Sequence, residues 1–274
     1  MQPTAGTSLA RMLSVLDLFS EEAPVWTVDE IAARLAFTRA TAYRYVGELC
    51  DAGLLIRVAQ GAYFLGPRII ELDLHIRRSD PLLKAAEKAV PALLRPNRGQ
   101  VVLLCSLFRD KVLCTHQSGH DEELAVSYTR GRPMPLFRGA TSKVILASLP
   151  ERRLTRLFAE NQQEVAKAGL GRSREEFLAA MKAIRRQGYA VTRGEVDPGV
   201  VGVSVPVLGG ERSVIGSLSI VFPSARYPAR EERRIVAALV QASAIIHADL
   251  MRFSAAPRPA ARRKSAKRAA HHGR

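Results

Sequence analysis

The chain has 274 residues, and its 41 lysines and arginines against 26 aspartates and glutamates give a formal net charge of +15. Hydrophobic residues make up 47% of it, enough for the cores of one large or two ordinary domains, which excludes a globally disordered chain. No run of about 18 apolar residues is present, so we expect no membrane span. The first ten residues lack the pattern of a secretory signal, which predicts a cytoplasmic protein.

The charge is spread unevenly along the chain. Residues 1–66 hold 5 basic and 7 acidic residues, whereas residues 254–274 hold 7 basic residues and no acidic one. The Ala, Pro, Arg and Lys composition of 254–274 offers nothing to bury, which predicts a disordered basic tail. A polyanion is the partner that such a charge favours.

Three helices and a β-hairpin are predicted in the first 66 residues. An apolar stripe with three- and four-residue spacing begins at Ser8 and predicts a helix to about Glu22. The capping box Thr27-Val28-Asp29-Glu30 opens a second helix, and a third helix is predicted over 39–50. Two short strands, 54–56 and 62–65, follow around a turn. Short helices followed directly by a hairpin are typical of a winged helix-turn-helix, whose third helix enters the major groove of double-stranded DNA.

Side chains on the outward face of the third helix are the candidate DNA contacts. They combine guanidinium and hydroxyl donors with an aromatic ring, groups that reach base edges or phosphates. The alternative is an ordinary three-helix unit whose arginines are merely solvated. The candidates are Thr38, Arg39, Thr41, Tyr43 and Arg44.

A linker helix is predicted over 67–90, with a break at Asp80-Pro81, where Asp80 is a natural N-cap. Beyond it, residues 91–253 alternate strands and helices, which predicts an α/β domain with an antiparallel sheet, large enough for a small-molecule cavity. The predicted strands are 101–108, 111–116, 202–208 and 213–222. The predicted helices are 138–149, 151–158, 173–187 and 228–253.

Candidate catalytic and metal-binding residues give no recognisable pattern. Three cysteines, Cys50, Cys105 and Cys114, are far apart in the sequence without a C-x-x-C pair, so buried free thiols are expected. His116, His120 and the acidic residues at 121–123 and 195–197 do not form a metal motif such as H-E-x-x-H, and no G-x-S-x-G elbow is present. We therefore expect no enzyme, no metal and no cofactor.

Two blocks of sequence resemble the IclR family of bacterial transcriptional regulators. The first comprises SLARMLSVLDLF, TVDEIAARLAFTRATAYRYVGELCDAGLL and AYFLGPRIIEL, within 8–72. The second comprises GRPMPLFRGATSKVILASLP and QGYAVTRGEVDPGVVGVSVPVLGGERSVIGSLSIVFP, within 131–223. The two blocks occur in the family's order, and the resemblance covers about residues 8–253.

The resemblance implies an α+β protein that regulates transcription. It would have a winged helix-turn-helix DNA-binding domain at 8–66, a linker helix at 67–90, a GAF-like effector-binding domain at 91–253 and a basic tail at 254–274. Members act as homodimers or homotetramers on near-palindromic operators. Many govern catabolism of aromatic acids and other carbon sources, so a small organic-acid effector, aromatic or short, is expected for a catabolic operon.

The resemblance also places the effector where a loop meets the start of a helix, beneath the sheet. Exposed amides at a helix N-terminus favour a carboxylate, and serines on one strand face need partners that a ligand could supply. The alternative is that these serines bond the backbone. The implied effector residues are Ala140, Thr141, Ser142, Asp197, Gly202, Ser204, Ser217 and Ser219.

Two departures from the family pattern stand out. The family has Gly where this chain has Ala36, between the second and third helices, which predicts an altered or strained turn. Ser142 replaces a glycine at the pocket floor, which leaves the identity of the effector open. A competing function is a sequence-tolerant architectural DNA-binding protein, in which the basic tail coats DNA and the α/β domain only oligomerises.

Overall fold

The structure is a computed structural model that describes residues 7–58, 61–95, 99–119 and 129–255. It comprises two compact units, which meet in the sequence between Asp80 and Pro81. The predictions for His120, for 121–123 and for almost all of the basic tail lie outside the described residues.

Unit 1 is a small helical domain with a three-stranded antiparallel sheet in the order β1-β3-β2. Its elements are α1 (Ser8–Leu13), a 3-10 turn (Leu16–Leu18), β1 (Trp26–Thr27), α2 (Val28–Leu35), α3 (Arg39–Asp51), β2 (Leu55–Arg57), β3 (Ala62–Leu65) and α4 (Arg68–Ser79).

The first helix is shorter than its apolar stripe predicts. It ends at Leu13 rather than near Glu22, because the Ser14 hydroxyl donates to the carbonyl of Arg11 at 2.7 Å and caps the turn. The indole of Trp26 then donates to the carbonyls of Leu18 and Ala23. These two hydrogen bonds fold residues 18–26 back on themselves, so the chain does not continue as a helix.

The caps of α2 confirm two local predictions. Thr27 and Glu30 form the reciprocal capping box, with the Thr27 amide donating to the Glu30 carboxylate at 2.8 Å. At the other end Ala36 adopts the left-handed conformation, with φ 53° and ψ 46°, and its amide closes the helix on Ala32. The left-handed conformation is sterically less favourable for alanine than for glycine, so the turn is strained as predicted.

The core of unit 1 lies between α2 and α3. Predicted inward residues of α3 are buried, and so is Tyr45, whose hydroxyl bonds Ser8 at 2.9 Å. The buried set is Val15, Val28, Ile31, Ala32, Ala42, Tyr45, Val46, Leu49 and Leu55.

The predicted linker is two helices with different packing. α4 ends before Asp80, which has an extended backbone, and α5 (Pro81–Ala89) begins directly after it. No residue of α4 is buried, whereas α5 buries its apolar side in the core of unit 2. Within 67–90, only the first half, α4, therefore has the exposure expected of a linker helix.

Unit 2 is built on a six-stranded antiparallel sheet in the order β6-β5-β4-β9-β8-β7. The strands are β4 (Val101–Phe108), β5 (Lys111–Ser118), β6 (Pro133–Met134), β7 (Ala190–Arg193), β8 (Val200–Leu208) and β9 (Val214–Pro223). After α5, the helices are α6 (Ala140–Ala147), α7 (Glu151–Glu160), α8 (Gln162–Lys167), α9 (Arg174–Gln187) and α10 (Glu232–Ala255). The sequence analysis missed β6, β7 and α8, which are only two to six residues long.

The two faces of this sheet differ in chemistry because side chains alternate along each strand. One face is apolar and carries α5 and α10, with Val203, Leu218 and Ile220 in the contact. The opposite face carries α6 and includes the polar positions of β7, β8 and β9. The candidate effector residues therefore converge on the α6 side.

One described helix region, Ala229–Phe253, is long and apolar enough by composition to cross a membrane. It includes α10, whose Leu239 and Ile246 are buried against the sheet, as in the core helix of a soluble domain.

Candidate functional sites

The candidate DNA-binding residues lie at the start of α3. Thr38 is the N-cap, and its hydroxyl accepts from the amide of Thr41 at 3.2 Å. Arg39, Tyr43 and Arg44 are exposed, with 51% of Tyr43 accessible. Thr41 is half-buried and its hydroxyl bonds that of Thr38 at 2.8 Å, so it is less available than its neighbours.

The two candidate arginines are held differently. Arg39 forms a two-pronged ion pair with Asp29, at 2.8 and 3.2 Å, and its guanidinium lies 5.7 Å from the Tyr43 ring centre. Arg44 stacks its guanidinium 5.3 Å from the ring of Tyr45. The Arg44 guanidinium also bonds the Tyr45 side chain, and Asp29 engages two of the five N–H donors of Arg39, so both arginines keep donors for a further partner.

Gly47 extends the exposed face of α3 and was missed by the sequence analysis. A Cβ built on it would meet no atom within 4 Å, so the helix surface is open at this point. In the predicted wing, Arg57 is exposed at the end of β2; residues 59 and 60 lie outside the described part.

A small cleft, with a cavity volume of about 20 Å³, opens where α6 begins. Gly139, the N-cap of α6, has φ 84° and ψ 149°, a conformation that favours glycine. A Cβ on Gly139 would lie 2.8 Å from Val196. The cleft is lined by Met134, Gly139, Ala140, Thr141, Thr192, Glu195, Val196, Asp197, Val200, Gly202 and Val221.

The first amides of α6 are already occupied by side chains. The Gly139 amide donates to Glu195 at 3.0 Å, and the Ala140 amide donates to the Thr192 hydroxyl at 3.0 Å. Lys143 pairs with the same Glu195 carboxylate at 2.6 Å, and its side chain is only 12% exposed. The expectation of exposed amides is therefore wrong for these two donors: the protein supplies its own carboxylate to the helix N-terminus.

Thr192 and Lys143 were not among the predicted site residues, whereas Glu195 was expected near the site, with Asp197 in the loop before the strands. Gly139 and Glu195 are 56 residues apart in the sequence, and the strand that carries Thr192 was not recognised. The one available signal was the pair of acidic residues in the loop before β8.

Three hydroxyls form a buried chain beneath α6. The Ser219 hydroxyl bonds that of Thr141 at 2.9 Å and that of Ser204 at 2.7 Å. All three residues are at most 5% exposed. Side chains therefore satisfy one another here, and Ser219 needs neither a ligand nor the backbone as its partner.

Two further buried hydroxyls behave differently. The Oγ atoms of Ser142 and Ser217 are buried and have no hydrogen-bond partner among the described residues. The fold itself therefore does not use either hydroxyl. Ala140, Thr141, Asp197 and Gly202 thus line the cleft, whereas Ser142, Ser204, Ser217 and Ser219 are not among its lining residues.

Cys105 and Cys114, distant in the sequence, lie opposite each other on β4 and β5. Their hydrogen bond, together with burial, raises the pKa of the Cys105 thiol well above its usual value. That thiol is therefore protonated and a poor nucleophile near neutral pH. Within the described ranges, no three His, Cys, Asp or Glu side chains cluster as metal ligands.

Two known protein-domain families match this chain, and their matches correspond closely to its two units. Residues 8–59 match the family described as "IclR helix-turn-helix domain", and residues 76–248 match "Bacterial transcriptional regulator IclR C-terminal". The second match alone spans more than half of the chain.

A relative and two solved structures agree with these matches. The HTH-type transcriptional regulator XynR of Escherichia coli is 30% identical over 78% of this chain and 84% of its own. An IclR transcriptional regulator from Alicyclobacillus acidocaldarius is 26% identical, with TM-score 0.72, covering 89% of this chain and 98% of that chain. An IclR homologue from Microbacterium hydrocarbonoxydans, crystallised with 4-hydroxybenzoate, is 25% identical, with TM-score 0.69, covering 90% and 100%.

The matched proteins are regulators rather than enzymes, and they share both units and the order of those units. A helix-turn-helix head joined to an α/β domain with an antiparallel sheet is their common architecture. The chain belongs to the IclR family of DNA-binding bacterial transcriptional regulators.

Proposed function

We propose that this regulator responds to a small organic acid bound in the cleft at the start of α6. The observation that carries the proposal is the pairing of Glu195 with the Gly139 amide and with Lys143 inside that cleft. This site already binds the Glu195 carboxylate between an amide and an ammonium group. The same two donors could therefore bind the carboxylate of a ligand in its place. The related homologue crystallised with 4-hydroxybenzoate supports an aromatic acid as one candidate.

The ligand would compete with the protein's own carboxylate. An effector carboxylate entering the cleft replaces Glu195 at the Gly139 amide and takes over its ion pair with Lys143. Thr141 and Asp197, which line the same cleft, then contact the remaining polar groups of the ligand. The exchange releases Glu195 and the loop before β8. Ligand binding would thus favour the conformation in which this loop is released.

The exposed face of α3 would read a double-stranded operator. Arg44 and Tyr43 project from it, and Gly47 leaves room for the DNA backbone. A homodimer or homotetramer would present two heads to a near-palindromic operator, with half-sites about one helical turn apart. Such a regulator acts in the cytoplasm and would govern a catabolic operon whose substrate or intermediate is the effector.

Thermal stability with small carboxylates tests the effector proposal. A ligand that binds only the native state raises the melting temperature in proportion to its concentration over Kd. We expect a rise with benzoate-type or short aliphatic acids and none with the matching amides, which lack the charge. No rise with any acid in the panel would contradict the proposal.

Two variants separate the proposed exchange from binding elsewhere. Glu195→Gln removes the competing charge and should tighten binding of the acid several-fold, whereas Lys143→Met should weaken it. If both variants weaken binding equally, Glu195 contacts the ligand rather than competing with it. A gel shift with DNA upstream of the protein's own gene, with and without the acid, then tests the coupling to operator binding.

A further inference from the structure

Two cysteines of unit 2 meet on neighbouring strands. Cys105 of β4 and Cys114 of β5 are partners in the antiparallel ladder, although eight residues separate them in the sequence. Both are at most 1% exposed and belong to an apolar cluster that includes Met134 and Ile145. A lone thiol in such surroundings is an ordinary packing residue. Two thiols in contact can also react with each other, if the strands hold them at the spacing that a disulfide requires.

Cys105 and Cys114 form a non-hydrogen-bonded pair of this ladder. The Cys114 amide donates to the Arg132 carbonyl at 3.3 Å, and the Cys114 carbonyl accepts from the Gly131 amide at 2.8 Å, on the side away from β4. The Cys105 carbonyl points to its other neighbour, β9, where a Cβ built on Gly216 would meet it. In such pairs the Cα atoms lie about 4.5 Å apart, within the range of about 4.4–6.8 Å that disulfides span. A disulfide therefore fits the strands as they are.

The hairpin turn gives the same pairing independently. A two-residue turn joins β4 to β5, so Phe108 and Lys111 are the hydrogen-bonded pair that closes it. Hydrogen-bonded and non-hydrogen-bonded pairs alternate along an antiparallel ladder. Counting from the turn, the pair of Cys105 and Cys114 is non-hydrogen-bonded, and the shift in register comes only beyond it. The spacing of the two sulfurs is therefore fixed by a short local turn.

The two thiols differ in reactivity. The Cys105 thiol donates a hydrogen bond to the Cys114 sulfur, which raises the pKa of Cys105 and lowers the pKa of Cys114. The positive charge of Arg130 further favours the Cys114 thiolate. The thiolate is the nucleophilic form of cysteine. Cys114 is therefore the sulfur that attacks first, with the Cys105 sulfur already beside it.

We propose that Cys105 and Cys114 are a redox-modification site, at which a hydroperoxide oxidises the two thiols to a disulfide within the chain. The Cys114 thiolate attacks the peroxide: an S–O bond forms, the O–O bond breaks, and the leaving oxygen takes up a proton and departs as water or an alcohol. The Cys105 sulfur then attacks the Cys114 sulfenic acid: the S–S bond forms, the S–O bond breaks, and the hydroxyl leaves as water with the Cys105 proton. The two electrons lost by the thiols reduce the O–O bond.

Burial of the pair restricts the oxidant. A bulky disulfide cannot reach sulfurs that are at most 1% exposed, whereas hydrogen peroxide is little larger than water. β6, the outer neighbour of β5, is only two residues long, so few backbone hydrogen bonds oppose a local opening beside Cys114. The site depends neither on an acid in the cleft nor on DNA.

Counting the thiols of the full chain, unfolded after the folded protein has met hydrogen peroxide, is the first test. The wild type has three thiols and should fall to one, and a dithiol reductant should restore all three. Cys50→Ser is the matched control, since it removes the half-buried thiol of unit 1, and it should fall from two to none. A wild type that keeps three thiols, or a Cys50→Ser chain that keeps two, overturns the proposal.

Tryptic peptides identify the bond in the wild type, without a variant that could unfold the domain. Arg109 and Lys111 lie between the two cysteines, so trypsin places Cys105 and Cys114 on separate peptides. The oxidised chain should yield these two peptides linked, about 2 Da below their summed mass, and a reductant should separate them. Peptides that remain separate, a link to Cys50, or a link between two chains overturns the proposal.

Single variants test the order of attack. Cys105→Ser cannot close the disulfide, so its Cys114 peptide should keep the added oxygen after exposure to hydrogen peroxide. Cys114→Ser lacks the attacking thiolate and should leave the Cys105 peptide unmodified. The reverse pattern would contradict the assignment of Cys114 as the first nucleophile.

Discussion

The two units of this regulator use polar side chains in opposite ways. In unit 1 the candidate DNA contacts Tyr43 and Arg44 stand on the outside of α3, over a core that does not include them. In unit 2 the hydroxyls of Thr141, Ser204 and Ser219 are buried and bond one another. An exposed side chain can be removed with little loss of stability, whereas a buried polar group leaves its partners unsatisfied.

This difference separates recognition from stability in the head and links them in the effector domain. Changes on the outer face of α3 should alter DNA affinity and leave the melting temperature unchanged. Changes beneath α6 should alter both effector response and the free energy of unfolding. Substitutions in each unit can break this contrast.

Arg44→Ala should have the largest effect. Losing a base contact costs about 1–3 kcal/mol, so we expect operator affinity in a gel shift to fall by about 5- to 150-fold. Arg34→Ala makes the same chemical change on the exposed side of α2 and should weaken binding far less. If Arg44→Ala binds the operator as the wild type does, with an unchanged melting temperature, Arg44 is not a DNA contact.

Gly139→Ala should be next, as a loss of stability in unit 2. The backbone at Gly139, with φ 84°, is strained for any other residue, at a cost of about 1–3 kcal/mol. Gly202→Ala lies in the same cleft, and its Cβ would make ordinary contacts at 3.6 Å with Ala140 and Thr192. Chemical denaturation should therefore separate the two variants; equal stability would mean that the start of α6 relaxes freely.

Ser219→Ala and Ser217→Ala should differ by a smaller amount. Ser219 bonds two hydroxyls, but Ser204 keeps the Leu218 carbonyl as a partner, so loss of the Ser219 hydroxyl should lower the free energy of unfolding by about 1 kcal/mol. Ser217 has a buried hydroxyl without a partner among the described residues, so Ser217→Ala should be neutral or stabilising. A loss of stability in Ser217→Ala equal to that in Ser219→Ala would show that the Ser217 hydroxyl has a partner.

Deleting residues 254–274 should have the smallest effect on operator choice. The segment carries 7 basic residues, so its removal should weaken binding to unrelated DNA and flatten the dependence of affinity on salt. The ratio of operator affinity to that of unrelated DNA should not fall. If sequence preference disappears with the tail, recognition does not rest on α3 alone.

Local signals predicted much of unit 1. The capping box of Thr27 and Glu30 and the inward face of α3 follow from neighbouring residues, whereas the left-handed turn at Ala36 was expected only from the family resemblance. The end of α1 did not, because the apolar stripe continues past Leu13 whereas the Ser14 hydroxyl bonds the carbonyl of Arg11 and ends the helix. The indole of Trp26 anchors the segment that follows through the carbonyl of Leu18, eight residues before it, and such a contact has no local signature.

The candidate effector site was predicted only in part. Strand alternation placed Ser204, Ser217 and Ser219 on one face, and the helix start at Ala140 was close to its observed position. Alternation does not reveal which hydroxyls meet, so the bond from Ser219 to Thr141, 78 residues away, could not be foreseen. Strands of four residues or fewer, such as β7, contain too few alternations to be recognised.

The sequence by itself determined the helix-turn-helix head, the α/β class of the second unit and the uneven distribution of charge, because these depend on caps, periodicity and composition. Tertiary structure decided which groups are free to act. It paired the Gly139 amide with the Glu195 carboxylate and placed Cys105 opposite Cys114. These partners are distant in the sequence and meet only once strand register and helix packing are fixed.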